Sequence, residues 1–290
     1  MKEMHMFRAG ISLRWLNNAG FEMILPGGAH LLVDPWLDEA YMYPVPLKEI
    51  ERADYVLLTH THFDHADSIG RIQEKFPKAA VFVGDLSADA LCMEYHLNVE
   101  RLFRVRHGET YQFDDVKIEA IGARHTESST GNYWDKGYCI RKDGTRSPAN
   151  WFGSMEMLNY RITGCDGTKI VVWGGMPAQE QVYRMREYQG NDIAIMHVSP
   201  KQDFTMFSRL VNAIRPKVVI PHHYDIWEAL MKKSPEMFQG VPLPLDQITP
   251  ENILGIIKGH LEEDCKTTEF FAPEHHVWYR FGFGVEEIHG

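Results

Sequence analysis

Cysteine, positive charge and long apolar runs are all scarce in this 290-residue chain. Its four cysteines, Cys92, Cys139, Cys165 and Cys265, are scattered and form no Cys-x-x-Cys pair. This spacing fits reduced, inert thiols in a cytosolic protein better than a disulfide framework.

The shortage of positive charge bears on the substrate. Lys and Arg total 30 against 40 Asp and Glu, for a formal charge of −10, so the chain has no general attraction for a phosphate backbone and nucleic acid is a poor expectation. Met1 to Leu16 lacks the continuous apolar core of a signal peptide, and no later run approaches a membrane span. We expect a soluble cytoplasmic protein with a small-molecule substrate, compatible with a homo-oligomer.

What the sequence does contain is enough apolar material, 44% of residues, for one substantial core, and no linker divides it. Residues 1–290 are therefore predicted to form a single domain. Leu13–Leu25 and His30–Val33 are predicted as an opening pair of antiparallel strands, with the turn between them at Gly27 and Gly28. Asp54–Thr59 has the short apolar pattern of a strand buried on both faces.

Strands and helices alternate through the rest of the chain, which predicts two β-sheets covered by helices. The further predicted strands are Ala79–Val83, Val116–Ala120, Met157–Ile162, Lys169–Trp173, Asp192–Val198 and Lys217–Ile220. The predicted helices are Ser68–Phe76, Ser87–His96, Ala178–Tyr188, Phe204–Ile214 and one that begins after Thr249 and runs to about Leu261. The irregular stretch 126–151 is too long for an ordinary connection, and we expect it to be a substrate lid.

A histidine motif follows the strand Asp54–Thr59 directly. Residues 60–65 read His-Thr-His-Phe-Asp-His. His60 and His62 can hold one cation, and the turn after them can present Asp64 and His65 to a second. A surface cluster or a satisfied polar network would be the structural explanation, but four ligand-type residues in six are hard to explain in that way.

This motif resembles that of the metallo-β-lactamase superfamily, and the resemblance runs from about Ile11 to His223. It implies a four-layer αββα sandwich, in which helices flank two mixed β-sheets. It also implies that Asp34, at the end of Leu-Leu-Val-Asp, supports the site. The ligand sets implied by the resemblance are His60, His62 and His125 for the first metal, and Asp64, His65 and His223 for the second.

The chain departs from the family pattern at one position. Gly175, in Trp-Gly-Gly-Met-Pro, stands where the family carries an aspartate that bridges two cations. Losing that charge costs two adjacent dications several kcal/mol. The open readings are a single ion, a substitute ligand or a protein that has lost hydrolysis. His197 is the favoured substitute, although it could instead donate to a backbone carbonyl; Glu180 and Asp203 are weaker candidates.

We predict a hydrolase that uses a metal-activated hydroxide, with one or two ions of Zn²⁺ or Mn²⁺. Asp64 would orient the hydroxide, and His222, Tyr224 or metal-bound water would protonate the leaving group, unless His222 and Tyr224 only pack against the ligands. The opening Leu-Arg-Trp-Leu-Asn-Asn-Ala-Gly-Phe is most similar to the branch of L-ascorbate-6-phosphate lactonase and N-acyl-phosphatidylethanolamine phospholipase D. That similarity implies a small carbonyl or phosphoryl ester, of lactone or phosphodiester type.

Substrate contacts are expected in the stretch 126–151, unless it is only a solvated charge run with packed aromatics. The aromatic candidates are Tyr133, Trp134 and Trp151, and the candidate anion contacts are Arg141, Lys142 and Arg146. Two other classes of function stay open: an oxygenase with mononuclear iron or another redox member of the same fold, and a non-catalytic binding protein with a degraded metal site.

Overall fold

Two seven-stranded β-sheets lie face to face in the computed structural model, which describes residues 10–123, 125, 144–177, 179–233 and 235–282. The strands of the first sheet are β1 (Ile11–Asn17), β2 (Gly20–Ile24), β3 (His30–Val33), β4 (Tyr55–Leu57), β5 (Ala80–Gly84), β6 (Leu102–Val105) and β14 (Trp278–Phe281). The strands of the second are β7 (Thr110–Gln112), β8 (Val116–Ala123), β9 (Met157–Gly164), β10 (Lys169–Trp173), β11 (Ile193–His197), β12 (Val218–His222) and β13 (Glu269–Phe270).

Both sheets are mixed. The first has the order β14-β1-β2-β3-β4-β5-β6 and the second β13-β12-β11-β10-β9-β8-β7. In the first sheet, β14 to β3 pair antiparallel and β3 to β6 pair parallel. In the second, β13 to β10 are parallel and β10 to β7 antiparallel. Each sheet thus brings the carboxyl ends of its parallel strands to one edge, where ligands bind in open α/β sheets.

Helices cover the outer faces of the two sheets. They are α1 (Phe63–Ala66), α2 (Ile69–Lys75), α3 (Asp85–Tyr95), α4 (Pro148–Gly153), α5 (Gln179–Met185), α6 (Phe204–Ile214), α7 (Trp227–Lys233) and α8 (Pro250–Asp264). Helix α8 begins as its sequence predicts, because the Thr249 side chain accepts a hydrogen bond from the Asn252 amide and Pro250 occupies the first turn. The predicted αββα sandwich, with two mixed sheets flanked by helices, is confirmed.

The alternation of side chains along the central strands separates two apolar layers. Tyr55 and Leu57 of β4 and Phe82 of β5 belong to the large core that both sheets share. Val56 and Val81, which point the opposite way, pack in a second core beneath α2, α3 and α4. Strands with apolar side chains on both faces are held rigidly, and the residues that follow them are therefore well positioned.

One predicted strand needs correction. Leu13–Leu25 is not one strand: Asn18 has a φ of 41°, a left-handed conformation that asparagine tolerates, and the chain reverses there between β1 and β2. Residues 148–151 of the predicted lid form part of α4, in which Ala149 is fully buried. Residues 126–143 lie outside the described residues.

The other predicted elements lie within a few residues of their predicted bounds, and Gly28, with a φ of 87°, forms the turn between β2 and β3. Ala178, the predicted first residue of α5, is outside the described residues. Four strands are missing from the sequence prediction, namely β6, β7, β13 and β14. They lie at the ends of the sheets, and their side chains are mostly half-buried or exposed, so their apolar pattern is weak.

Within the described residues, Cys92, Cys165 and Cys265 are free thiols. None of the helices described is long and apolar enough to cross a membrane.

Candidate metal centre

The candidate ligands lie where strands of both sheets end. His60 and His62 follow β4 of the first sheet, and the motif then turns directly into the single-turn helix α1, which carries Asp64 and His65. His125 follows β8 and His223 follows β12, both in the second sheet. The cluster is thus assembled across the edge that the two sheets share.

The first cluster consists of His60, His62 and His125, and one ring nitrogen from each lies within 4.8 Å of the others. His60 Nε2 and His62 Nδ1 are 3.0 Å apart. The ring of His125 lies 5.0 Å from that of His60 and 4.5 Å from that of His62, between centroids. Three imidazoles that converge in this way match the ligand set of a catalytic zinc site with an open position.

The second cluster consists of Asp64, His65 and His223, whose ligand atoms also lie within 4.8 Å of one another. Asp64 Oδ2 is 3.6 Å from His65 Nε2 and 3.3 Å from His223 Nε2. The His60 and His65 ring centroids are only 3.9 Å apart, so the two clusters are immediate neighbours. The structure therefore brings together the two ligand sets that the sequence predicts.

Asp34, the predicted supporting residue, is fully buried and contacts groups behind both clusters. Its Oδ1 accepts a hydrogen bond from the Thr59 amide at 2.7 Å and its Oδ2 accepts one from Thr59 Oγ1 at 2.6 Å. Asp34 Oδ2 also lies 2.9 Å from His65 Nδ1, in an electrostatic contact without the alignment of a good hydrogen bond. A carboxylate behind a histidine orients the ring toward a metal.

The contacts of Asp34 determine which nitrogens are free to bind. The Thr59 hydroxyl has one hydrogen and donates it to Asp34, so it can only accept from His60 Nδ1, which lies 3.1 Å away. His60 then carries its proton on Nδ1, and Nε2 keeps a lone pair that faces the cluster. By the same reasoning, the Asp34 carboxylate favours a proton on His65 Nδ1 and leaves Nε2 as the ligand atom.

The protonation states of the ligands differ between the two clusters. Burial, reinforced by the neighbouring histidines, holds the pKa values of His60 and His62 well below their ordinary range, so both are neutral at pH 7. Burial acts to raise the pKa of Asp64, but His65 and His223 outweigh it and the pKa is lowered. Burial lowers the pKa of His65, and the carboxylates of Asp64 and Asp34 more than reverse that effect. The neutral imidazoles of His60 and His62 and the ionised Asp64 suit a Zn-type ion, whereas His65, whose pKa is raised, releases its proton when an ion binds.

Ser154 is a site residue that the sequence analysis missed. Its Oγ lies 2.7 Å from His62 Nε2, on the side of the ring opposite to the ligand atom Nδ1, and the residue is 4% exposed. A lone serine after a helix has no ligand spacing, so only the folded arrangement reveals it. Ser154 orients the His62 ring in the way that Thr59 orients His60.

Gly153 allows this approach. A Cβ at that position would lie 2.7 Å from the His62 backbone nitrogen and 2.8 Å from the Thr61 carbonyl carbon. We expect Gly153→Ala to lower the free energy of unfolding by about 1–3 kcal/mol, because backbone must move to admit the methyl group. Urea denaturation of Gly255→Ala is the control: nothing lies within 4 Å of a Cβ there, and alanine should stabilise α8 by up to about 1 kcal/mol. Equal effects of the two variants would contradict the packing argument.

His197, the predicted substitute ligand, lies at the end of β11 beside the second cluster. Its ring centroid is 4.5 Å from that of His223, and its Nδ1 is buried without a hydrogen-bond partner. Burial lowers its pKa well below the ordinary value, and the charges of His223, His222, His65 and His125 act in the same direction. Its Nδ1 makes no hydrogen bond to a backbone carbonyl among the described residues, which favours the prediction of a substitute ligand.

The remaining predicted site residues lie apart from both clusters. His222 Nε2 donates to the Trp173 carbonyl at 3.0 Å, and burial lowers its pKa to about 3. The Tyr224 ring packs on Trp15 with 5.2 Å between centroids. Asp203 caps α6 by accepting from the Thr205 amide, and Glu180 is an exposed residue of α5. Among the described residues, none of these four joins either ligand set.

Of the predicted substrate contacts, Trp151 and Arg146 are among the described residues. Trp151 packs beside Phe152 in α4, with 5.1 Å between ring centroids, and Arg146 is exposed. Tyr133, Trp134, Arg141 and Lys142 lie outside the described residues. A different group of aromatic side chains borders the second cluster: Trp227 lies 5.1 Å from the His223 ring, and Phe63 and Tyr41 are 5.8 Å apart on the α1 side.

Two glycines, Gly174 and Gly175, follow β10. A Cβ on Gly174 would lie 2.7 Å from Thr59 Cβ, and the Gly174 amide donates to Asn159 Oδ1 at 2.8 Å. The strand end is therefore packed directly against the residue that orients His60. Gly175 follows, buried and without a side chain.

An αββα sandwich with two adjacent histidine-rich ligand sets at the shared sheet edge defines a class of metal-site proteins. Residues 12–223 match the family described as the Beta-lactamase superfamily domain, and the chain belongs to this family. It is similar to a UPF0173 metal-dependent hydrolase of Koribacter versatilis, with 23% identity over 79% of this chain and 90% of the relative. The branch of L-ascorbate-6-phosphate lactonase stays a prediction.

Two solved structures share the fold. Igni18, a metallo hydrolase from the archaeon Ignicoccus hospitalis, superposes with a TM-score of 0.64 at 16% identity, over 94% of this chain and 99% of that one. CmlA, a diiron beta-hydroxylase from Streptomyces venezuelae, superposes with a TM-score of 0.61 at 13% identity, over 95% of this chain and 54% of that one. The fold thus accommodates more than one kind of metal chemistry.

Proposed function

We propose that this protein is a metal-dependent hydrolase that acts on a small carbonyl or phosphoryl ester, of lactone or phosphodiester type. The observation that carries the proposal is the pair of adjacent ligand sets, joined by the 3.9 Å separation of the His60 and His65 rings. Similarity to relatives named as metal-dependent hydrolases supports it. Two cations side by side can stabilise both the attacking and the leaving oxygen of a displacement.

His60, His62 and His125 would hold one ion, and Asp64, His65 and His223 the other. Five imidazoles and one carboxylate favour Zn²⁺, with Mn²⁺ as the other candidate, over Mg²⁺ or Ca²⁺, which prefer oxygen ligands. Such an ion, when bound, supplies an acidified water as nucleophile and polarises the substrate oxygen.

The chain's own residues would then position the reactants. Asp64 is the one carboxylate of the two ligand sets and would orient the nucleophile through its oxygen. His222 is a poor proton donor, because its Nε2 proton is already donated to the Trp173 carbonyl. Tyr224 is packed on Trp15, and burial raises the pKa of its hydroxyl. We therefore assign protonation of the leaving group to water at the site.

His197 is proposed as a ligand that compensates for the missing carboxylate at Gly175. We expect His197→Ala to weaken binding of the second Zn²⁺ at least about tenfold, because a buried imidazole with a free nitrogen beside His223 would be lost. Isothermal titration with Zn²⁺ measures this. Val198→Ala, which opens a smaller cavity at the next buried position, should bind Zn²⁺ like the wild type. Full metal occupancy and activity in His197→Ala would make His197 a structural residue.

The proposed activity is tested with chelated and reloaded protein. Wild type freed of metal with a chelator should hydrolyse neither a γ-lactone nor an aryl phosphodiester, and Zn²⁺ or Mn²⁺ should restore hydrolysis of at least one. Oxygen consumption by Fe²⁺-loaded protein, without hydrolysis under any metal, would favour the oxygenase reading. Stoichiometric metal without either reaction over a broad ester panel would favour a non-catalytic binding protein.

A further inference from the structure

We propose that Asn18 is the positioning residue of the second metal site, because it holds two of its three ligands at once. Its side-chain Nδ2 donates to Asp64 Oδ2 at 2.9 Å and also contacts the Asp64 carbonyl at 3.3 Å. Its backbone carbonyl accepts a hydrogen bond from the His223 amide at 2.9 Å. The inference rests on the proposed metal function and adds a residue from an element, the β1–β2 turn, that supplies no ligand.

The two ligands come from opposite sheets. Asp64 lies in α1, after β4 of the first sheet, and His223 lies after β12 of the second. His223 has a φ of 69°, a left-handed conformation that few non-glycine residues adopt, and a hydrogen bond to its backbone helps to hold it there. Asn18 accepts that hydrogen bond and therefore couples the two halves of the second site.

The bond to Asp64 restrains its carboxylate. An amide that donates to a charged oxygen forms a strong, directional hydrogen bond. Asp64 Oδ2 is also the atom that approaches His65 Nε2 and His223 Nε2. With one of its lone-pair directions occupied by Asn18, the oxygen stays aimed at the ion position and the carboxylate cannot rotate away.

Asn18 is itself held rigidly. It is 1% exposed, its amide donates to Asp225 Oδ2 at 2.8 Å, and Trp15 Nε1 donates to its carbonyl at 3.1 Å. The same Asp225 oxygen lies 2.9 Å from His275 Nε2. The His275 ring is stacked between Trp15 at 3.7 Å and Tyr43 at 3.6 Å, so the C-terminal segment fixes the turn from outside.

The neighbouring Asn17 provides a matched control. It is equally buried, but its side chain donates to the Trp36 and Tyr43 carbonyls at 2.8 Å and 3.2 Å and does not contact a ligand. Asn17→Ala should therefore perturb packing without acting on the second site. Asn18→Gly removes only the side-chain amide, because glycine adopts the φ of 41° readily and keeps both backbone hydrogen bonds.

The test is isothermal titration of metal-free protein with Zn²⁺, with near-ultraviolet circular dichroism to confirm the fold. Wild type should bind two ions. Asn18→Gly should bind the second about 10- to 100-fold more weakly and the first with nearly unchanged affinity, as expected when an outer hydrogen-bond partner of a ligand is lost. Asn18→Asp, which places a second carboxylate beside Asp64 in the same volume, should alter the second affinity by a comparable factor, and Asn17→Ala should alter neither.

Retention of wild-type affinity for the second ion in both Asn18→Gly and Asn18→Asp would overturn the inference. An equal loss in Asn17→Ala and Asn18→Gly would also overturn it, because the effect would then come from packing of the turn. Failure of the proposed function has a different signature: wild-type protein would itself bind no second ion.

Discussion

Replacement of His60 or Asp64 by alanine is expected to remove bound metal and abolish turnover. His60 donates a nitrogen to the first ligand set and Asp64 supplies the carboxylate of the second. Each variant should lose about one equivalent of metal and at least about 10³-fold in kcat/KM, because an ion contributes several kcal/mol of transition-state stabilisation. Elemental analysis of protein purified without chelators, with ester hydrolysis measured in parallel, checks both values.

His260→Ala is the control for these variants. His260 lies in α8 and belongs to neither ligand set, so metal content and activity should both equal those of the wild type. Unchanged metal content in both His60→Ala and Asp64→Ala would contradict the assignment of the site. Metal loss without loss of hydrolysis would place the reaction elsewhere.

Asp34→Ala is expected to produce the largest loss of stability in the site region. The buried carboxylate accepts two hydrogen bonds from Thr59 and balances the charge of His65. Removing it leaves His65 without one of its two carboxylate neighbours, so we expect unfolding to become easier by about 3–5 kcal/mol. Both ions should bind about 10- to 100-fold more weakly, because Asp34 sets the tautomers of His60 and His65. Urea denaturation and Zn²⁺ titration measure the two effects.

Asp38→Ala is the control for Asp34→Ala, because it removes an aspartate that does not contact either ligand set. Asp38 accepts a hydrogen bond from the Leu47 amide and pairs with Arg71, but its side chain is 41% exposed. An exposed ion pair contributes at most about 1 kcal/mol, and zinc affinity should not change. If Asp34→Ala were no more destabilising than Asp38→Ala, the proposed role of Asp34 behind both ligand sets would be wrong.

The short motif made the centre of the site predictable. His60, His62, Asp64 and His65 are near one another in the chain, and the apolar segment Asp54–Thr59, which contains β4, fixes where they emerge. His125 and His223 are distant in sequence, and only the family resemblance connected them to the motif. The structure distinguishes His223 from His222: His222 ends β12 and reaches the Trp173 carbonyl, whereas His223 lies just after the strand, in a left-handed conformation, and reaches Asp64.

The supporting residues were less predictable because their roles depend on tertiary contacts. Ser154 reaches His62 only because Gly153 lets α4 approach the motif closely. Asn18 lies in a turn that the sequence pattern concealed, since apolar residues on both sides of Asn17 and Asn18 suggested one continuous strand. The edge strands β6 and β14 were missed because half-exposed strands carry little apolar signal.

The glycines after β10 leave that strand end without a carboxylate. Gly174, directly after β10, packs closely on Thr59, the residue that orients His60. Neither Gly174 nor Gly175 contributes a carboxylate. The two ligand sets then contain a single carboxylate, that of Asp64 in the second set. A substitute donor therefore gains importance. His197, with its unpartnered nitrogen, is the described residue best placed for that role.

Anomalous diffraction from crystals grown with Zn²⁺ tests the central claim most directly. We expect two peaks, one about 2.0–2.1 Å from His60 Nε2, His62 Nδ1 and a His125 nitrogen, and one about 2.0–2.2 Å from Asp64 Oδ2, His65 Nε2 and His223 Nε2. Crystals of zinc-saturated protein with no anomalous peak in contact with either ligand set would contradict the account.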